Sequence, residues 1–421
     1  MKYADLSMNV LLLLPTLFLP AISGAIAGDT RNVSEPVVPQ SCQMLKANGA
    51  VDSTSYIQDA LNACTSGKAV YLTASGSQSD FYSGPLSLPS GVSLRVDKGV
   101  TLLAIANPSL FDTGNHTCGT LDDTGKGCNP FIQIKNASGS GIYGPGNIDG
   151  QGNAIMIGKS QSWWQLATEA KNKNTRQNAP RLIQIDNSKN ITLYQITLKN
   201  GPNFHVVSNN SNGLTLWGIT IAAPANARNT DGFDPMGSQN VTLIHSRIST
   251  GDDNVAIKAG NASSAHISIL DNHFGSGHGM SIGSEINQGV SDVTVDSLTL
   301  NGTTNGLRIK SDSSRGGKVT DVTYENICMQ NVKNPIVLDT RYDSAATGGL
   351  IPEYRDITFR NLNVLTAGTF TFAGYSASKP LSLTLDNVHI SKGSVWHKQY
   401  AIIQGSVVED GGGICDNEKT F

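Results

Sequence analysis

Eight short segments of this chain are near-copies of one another, and that periodicity restricts the fold more than any other property of the sequence. They read ITLYQITL from Ile191, LTLWGITI from Leu214, VTLIHSRI from Val241, ISILDNHF from Ile267, VTVDSLTL from Val293, VTYENICM from Val322, ITFRNLNV from Ile357 and LTLDNVHI from Leu383. Each opens apolar-Thr-apolar, with Ser in place of Thr once. Successive starts lie 23, 27, 26, 26, 29, 35 and 26 residues apart. A period of that size on short β-branched runs marks a solenoid. The Leu-x-x-Leu-x-Leu spacing of leucine-rich repeats is missing, and so is the 3.6-residue periodicity of helical repeats. A parallel β-helix remains, an all-β fold whose coils stack at roughly 4.8 Å and bury their inward side chains in a shared core. Upstream, VSLRV, FIQIK and GIYGPGNIDG read as earlier, less regular coils.

Composition agrees with that architecture. The 44 glycines and 15% charged residues suit many turns and short strands, and the 38% hydrophobic share supports a continuous core. One domain is expected over residues 28–421, capped at its N-terminal end by the segment around Cys42 to Cys64, where Lys46 to Leu61 has partly helical character. Residues 1–27 read as an export signal: Lys2, an apolar run from Val10 to Ala21, then the small-x-small pattern Ala25-Ile26-Ala27. That run, about 12 residues, is short of the roughly 20 that span a bilayer, and no later segment is long enough. The expectation is a secreted, extracellular monomer. A formal charge of −3 argues against nucleic acid or an anionic membrane as partner, so an anionic substrate must be gripped by a few local cations.

Export makes the six cysteines interpretable as disulfides. Cys42 with Cys64, and Cys118 with Cys128, each close a short loop and are plausible bridges. Cys328 and Cys415 either pair with each other or stay thiols. No Cys-x-x-Cys or close Cys/His set suggests zinc, and neither metal nor cofactor is expected. Eight Asn-x-Ser/Thr sequons begin at Asn32, Asn115, Asn136, Asn190, Asn209, Asn240, Asn261 and Asn301. Asn tolerates left-handed backbone, so most of them are read as coil corners.

Four polar clusters punctuate the repeats: Asn229-Thr230-Asp231, Asp252-Asp253, Gly277-His278-Gly279 and Arg308-Ile309-Lys310. Singly, each is ordinary; an Asp pair in a Gly-rich turn is usually a solvated corner. The gaps from Asp231 to Asp253, Asp253 to His278 and His278 to Arg308 are 22, 25 and 30 residues, about one coil each. That spacing predicts the clusters stacked on one face. Glycoside hydrolysis needs one protonated carboxylic acid for the leaving oxygen and one carboxylate to activate water. Crowded carboxylates repel, which keeps one of them protonated. Arg308 and Lys310, two apart on a strand, point to one side and can hold a sugar carboxylate.

The stretches NTDGFDP (229–235), TGDDNVAIK (250–258), GHGMSIGSE (277–285) and GLRIKS (306–311), in that order, resemble the signature of the polygalacturonases of glycoside hydrolase family 28. GPGNIDGQG, Trp163-Trp164, PRLIQ and GPNFH add to the likeness, which runs from about residue 40 to the C-terminus. The resemblance implies a right-handed parallel β-helix of about ten coils acting on polygalacturonate. It also implies Asp252 as general acid, Asp231 and Asp253 as the pair activating water with inversion, and His278 tuning the acid. Arg308, Lys310 and Tyr342 match substrate contacts, with Asn203 and His205 as further subsite candidates. Thr250-Gly251 stands where many fungal members have Asn-Gln, a version similar to bacterial and plant members. Endo attack is expected, since no insertion would close one end of the groove. The competing readings are exo attack, a rhamnogalacturonan hydrolase, a Ca²⁺-dependent pectate lyase, and a non-catalytic polysaccharide-binding β-helix.

Overall fold

The computed structural model describes residues 28–413 and residue 415. The expected export segment, residues 1–27, lies outside them.

The eight repeat anchors stack in one unbroken register: Ile191, Leu214, Val241, Ile267, Val293, Val322, Ile357 and Leu383 pair successively in parallel. Each is at most 3% exposed. Four residues beyond every anchor the backbone turns left-handed. Gln195, Gly218, His245, Asp271, Ser297, Asn326, Asn361 and Asn387 all have φ between 51° and 61°. Most L-residues avoid that region, and the corners are accordingly Asn, Asp, Gly and other polar residues, never β-branched ones. Each repeat is therefore two short strands around a corner, so the repeats build two faces of the coil. Three of the corners form a ladder, with Asn387 donating to Asn361, Asn361 to Asn326, and Asn326 to Asp296 at 2.8, 3.1 and 2.8 Å. Among the sequon residues, Asn136, Asn190 and Asn240 have left-handed backbone.

A second sheet of eleven parallel strands, from Leu86–Ser87 to Val395–Gln399, forms the remaining face. The fold is a parallel β-helix, and eleven strands in this sheet match the expected number of coils. Its inward column, Val206, Phe233, Val255, Met280, Leu307 and Ile336, is wholly buried. The alternate residues, Asp234, Ser281 and Arg308 among them, face away from that core.

Near the N-terminal end, the strand Ser41–Lys46 pairs with Ala69–Thr73, and the helix Thr54–Ala63 buries Ile57, Ala60 and Leu61. Disulfides join Cys42 to Cys64 and Cys118 to Cys128. A third joins Cys328 to Cys415, which decides between the two states the sequence left open. A helix over Trp163–Asn172, started by a reciprocal Ser162–Gln165 capping box, packs its Trp163 face inward. No helix among the described residues is long and apolar enough to cross a membrane.

Residues 28–39 form a strap across the repeat sheet, perpendicular to its strands. Gly28 N donates to Asp292 Oδ1 at 2.7 Å and Asp29 N to Ser268 Oγ at 2.9 Å. Thr242 Oγ1 donates to Asp29 Oδ2, and Arg31 Nη2 to the Leu214 carbonyl, both at 2.7 Å. Further along, Tyr194 Oη donates to Glu35 at 2.7 Å and Tyr71 Oη to the Pro39 carbonyl at 2.5 Å. The strap thus reaches from the coil of Asp292 back to the coil of Tyr71.

Candidate active site

Asp231, Asp253 and His278 each lie two residues ahead of a strand of the second sheet, Phe233–Met236, Val255–Ile257 and Met280–Gly283 respectively. The strand register makes those positions equivalent on three consecutive coils. Backbone bonds join them, from Gly232 N to the Asp253 carbonyl (2.9 Å) and from His278 N to the Asp252 carbonyl (2.8 Å). Spacing placed Arg308 one coil on from His278 in approximate register, and the strand pairing fixes its level. Arg308 pairs with Ser281, three residues further along the chain. The length of the arginine side chain makes up the difference, carrying its guanidinium back to Asp253.

The turn holding His278 tolerates no substitute for its following glycine. Gly279 has φ +82°, and a Cβ there would stand 2.1 Å from the Asn305 carbonyl oxygen. Buried Asn254 locks the same turn, accepting from Gly279 N at 2.8 Å and donating to the carbonyls of Ile248 and Ser276 at 3.0 and 2.9 Å. His278 Nδ1 then lies 3.1 Å from Asp252 Oδ1, which also accepts from Asp253 N at 2.9 Å.

Asp253 is clamped. Arg308 Nη2 and Ser281 Oγ both donate to its Oδ1, and Lys310 Nζ donates to Oδ2 at 2.9 Å. Burial alone would raise its proton affinity, but Lys310 and Arg308 more than reverse this and hold the carboxyl well below the ordinary range. Asp231 goes the other way. Its burial, then the nearby charges of Asp234 and Asp252, push it well above the ordinary value, and Lys258 opposes them only in part. Asp234 is raised to about 6, chiefly by burial, even with Lys258 Nζ at 2.8 Å. Burial would lower Lys258, yet Asp234 and Asp231 together raise it above its usual value and keep it charged. Oδ1 of Asp231 and Oδ1 of Asp234 are buried without a donor, which favours a retained proton in this part of the cluster. The three aspartates also differ in access: the Asp252 side chain is 20% exposed, against 5% for Asp231 and 2% for Asp253.

Tyr342, half exposed, joins the site with Lys310 Nζ 5.2 Å from its ring centre. Asn203 is partly buried, its Oδ1 accepting from Phe204 N at 2.8 Å. His205 is a correction. It is wholly buried, with Nε2 accepting from Gly201 N and Nδ1 3.1 Å from the Asp231 carbonyl. Burial lowers its pKa to about 4, so it is a neutral buttress under the Asp231 backbone and touches no open groove.

Sequence reasoning assigned no role to Asp234, Lys258, Phe204 or Arg181. Lys258 Nζ lies 3.8 Å from Asp231 and 4.9 Å from the Phe204 ring centre, with the Arg181 guanidinium 5.6 Å from the same ring. A signal was present: Asp234 and Lys258 are charges set into otherwise apolar strand text, within two of the stretches that carried the resemblance. Among the described residues, Asp252, Asp253 and His278 bring possible metal-ligand atoms within 4.8 Å of one another. Asp253 is already saturated by Arg308, Ser281 and Lys310, and those two cations oppose a third beside them.

A solenoid that presents one accessible carboxyl between a proton-retaining carboxyl and a clamped carboxylate has the parts of a glycoside hydrolase. The chain belongs to the family described as glycosyl hydrolases family 28, which matches residues 64–409. It is 54% identical to an endo-polygalacturonase of Pectobacterium carotovorum subsp. carotovorum over 89% of this chain and 92% of that one. It is 42% identical to a polygalacturonase of Ralstonia solanacearum over 85% of this chain and 79% of that one. The solved polygalacturonase from Erwinia carotovora ssp. carotovora superposes with a TM-score of 0.87 at 53% identity, covering 90% of this chain and all of that one. An exopolygalacturonase from Thermotoga maritima shares the fold, with a TM-score of 0.73 at 20% identity.

Proposed function

We propose that this protein is a secreted, monomeric endo-polygalacturonase that hydrolyses α-1,4-galacturonosyl bonds of polygalacturonate with inversion. The observation that carries the mechanism is the division of labour among three neighbouring carboxyls. Asp253, held ionised by Arg308 and Lys310, is a permanent base. Asp252, the most exposed of the three, reaches the glycosidic oxygen and donates the proton to it. Asp231, whose proton affinity is raised in part by the charge of Asp252, supplies this neighbour with the proton it donates. When that proton passes from Asp252 to the leaving oxygen, Asp231 and Asp253 together orient and deprotonate the attacking water. His278, at 3.1 Å from Asp252, steadies the donor's orientation. Arg308, Lys310 and Tyr342 border the carboxylate of the bound sugar, and the two cations divide their charge between it and Asp253.

A donor is dispensable when the leaving group needs no proton. Asp252→Asn should therefore fail on polygalacturonate yet retain hydrolysis of α-galacturonosyl fluoride. The raised proton affinity of Asp231 supports a second reading, with Asp231 as donor. Retention of fluoride hydrolysis by Asp231→Asn in place of Asp252→Asn would establish that exchange of roles. Early products of polygalacturonate digestion should form a ladder of oligomers, whereas monomer or dimer alone would indicate exo attack. An unsaturated, ultraviolet-absorbing product lost on chelation would indicate a lyase.

A further inference from the structure

We infer that the chain is cut between Ala27 and Gly28, and that the α-ammonium so freed is held by Asp292 in a seat the fold builds for it. Ala25-Ile26-Ala27 marks the junction in the sequence, and the geometry on its far side is independent of that pattern. Gly28 is buried, although it opens a strap that lies on the outside of a sheet. Its φ is +126°, and a Cβ on it would stand 2.4 Å from Ser268 Oγ and 3.4 Å from the Ile267 carbonyl oxygen. A residue with a side chain has no place there. The Gly28 nitrogen lies 2.7 Å from Asp292 Oδ1, while Oδ2 of the same carboxylate contacts His266 Nδ1.

Charge gives the seat its purpose. Asp292 faces Gly28 and His266, and the nearest strap charges, Asp29 and Arg31, are paired with each other. A peptide nitrogen would bring one donor and no charge to this carboxylate. A terminal ammonium brings a full positive charge and three donors. The register is fixed downstream, because Asp29 and Arg31 are bonded to Ser268, Thr242 and Leu214 on successive coils. A cut one residue later would leave Asp292 without its cation. This inference is independent of the hydrolytic reading.

The mass of the exported protein should correspond to a chain beginning at Gly28, and any other terminus overturns the proposal. Acetylation of the α-amine by an N-hydroxysuccinimide ester at neutral pH, followed by mass spectrometry of the N-terminal peptide, tests the seat. The amine of the native protein should react about fivefold or more slowly than that of the urea-unfolded chain, the scale set by one partly exposed ion pair. Asp292→Asn should abolish the protection. Inserting Ala-Ser after Ala27 should also abolish it with Asp292 intact, which covers the case in which the first variant does not fold. Native protein reacting as fast as the unfolded chain, or protection persisting in either variant, rules the seat out.

Discussion

The repeat sheet and the second sheet share one backbone geometry and carry opposite chemistry. Along the repeat sheet, eight equivalent positions hold Ile, Leu or Val, all buried. Along the second sheet, the positions facing away from the core run Val207, Asp234, Ala256, Ser281, Arg308 and Val337, aliphatic at both ends and, Ala256 apart, polar or ionic in the middle coils. Backbone pairing sets the register in both, whatever the side chains are. The repeat sheet can therefore supply stability on behalf of coils that bury charges, and buried charge networks contribute little stability of their own. On this view, substitutions in the two sheets should separate activity from stability.

The largest separation is expected at Asp252. Asp252→Asn should lower kcat on polygalacturonate by about 10²–10⁴, the range for loss of a positioned acid, with the melting temperature unchanged. A matching loss of stability would erase the distinction between the sheets. Lys258→Met should cost about 3–5 kcal/mol at pH 7.5, because it strands a buried carboxylate. Asp234 holds its proton up to about pH 6 in the native protein, above its unfolded value. Its contribution is therefore complete at low pH and disappears as pH rises through 6, so the damage in Lys258→Met should shrink at pH 5 in urea titrations. In the repeat sheet, Ile267→Ala should cost about 2–4 kcal/mol by emptying a fully buried position, with kcat unaltered. The smallest effect belongs to a corner. Asn361→Ala should cost about 1–2 kcal/mol through its left-handed φ, measured as a fall in melting temperature. A cost near zero there would mean that the corners follow the ladders without helping to set them.

Much of the fold could be read before the structure, because a solenoid repeats its constraints. The anchors chosen from apolar-Thr-apolar text are the residues that pair, position for position, from Ile191 to Leu383. Asp231, Asp253 and His278 were legible for the same reason, each sitting two residues before a strand of its coil. Legibility failed where side-chain length or burial decides. Arg308 lies level with Ser281, three residues past His278, and reaches Asp253 by extension, a distance that spacing does not encode. Lys258 and Asp234 were given no role, because their partnership depends on a desolvation no single sequence displays. His205 was grouped with the groove because its motif is near the groove in the chain, whereas its ring is wholly buried against Gly201 N and the Asp231 carbonyl. The Cys328–Cys415 bond joins residues 87 apart, a separation from which no local loop argument follows.

In a stack where each coil touches only the next, damage at an end ordinarily spreads inward one layer at a time. The strap and the last disulfide interrupt that route. Residues 28–39 tie the coil of Asp292 to the coil of Tyr71, and Cys328–Cys415 closes over the strands that contain Asn363, His389 and Val408. Peeling from either end meets a fastener that skips layers, so the molecule should come apart as one unit in a single sharp transition, with no gradual fraying.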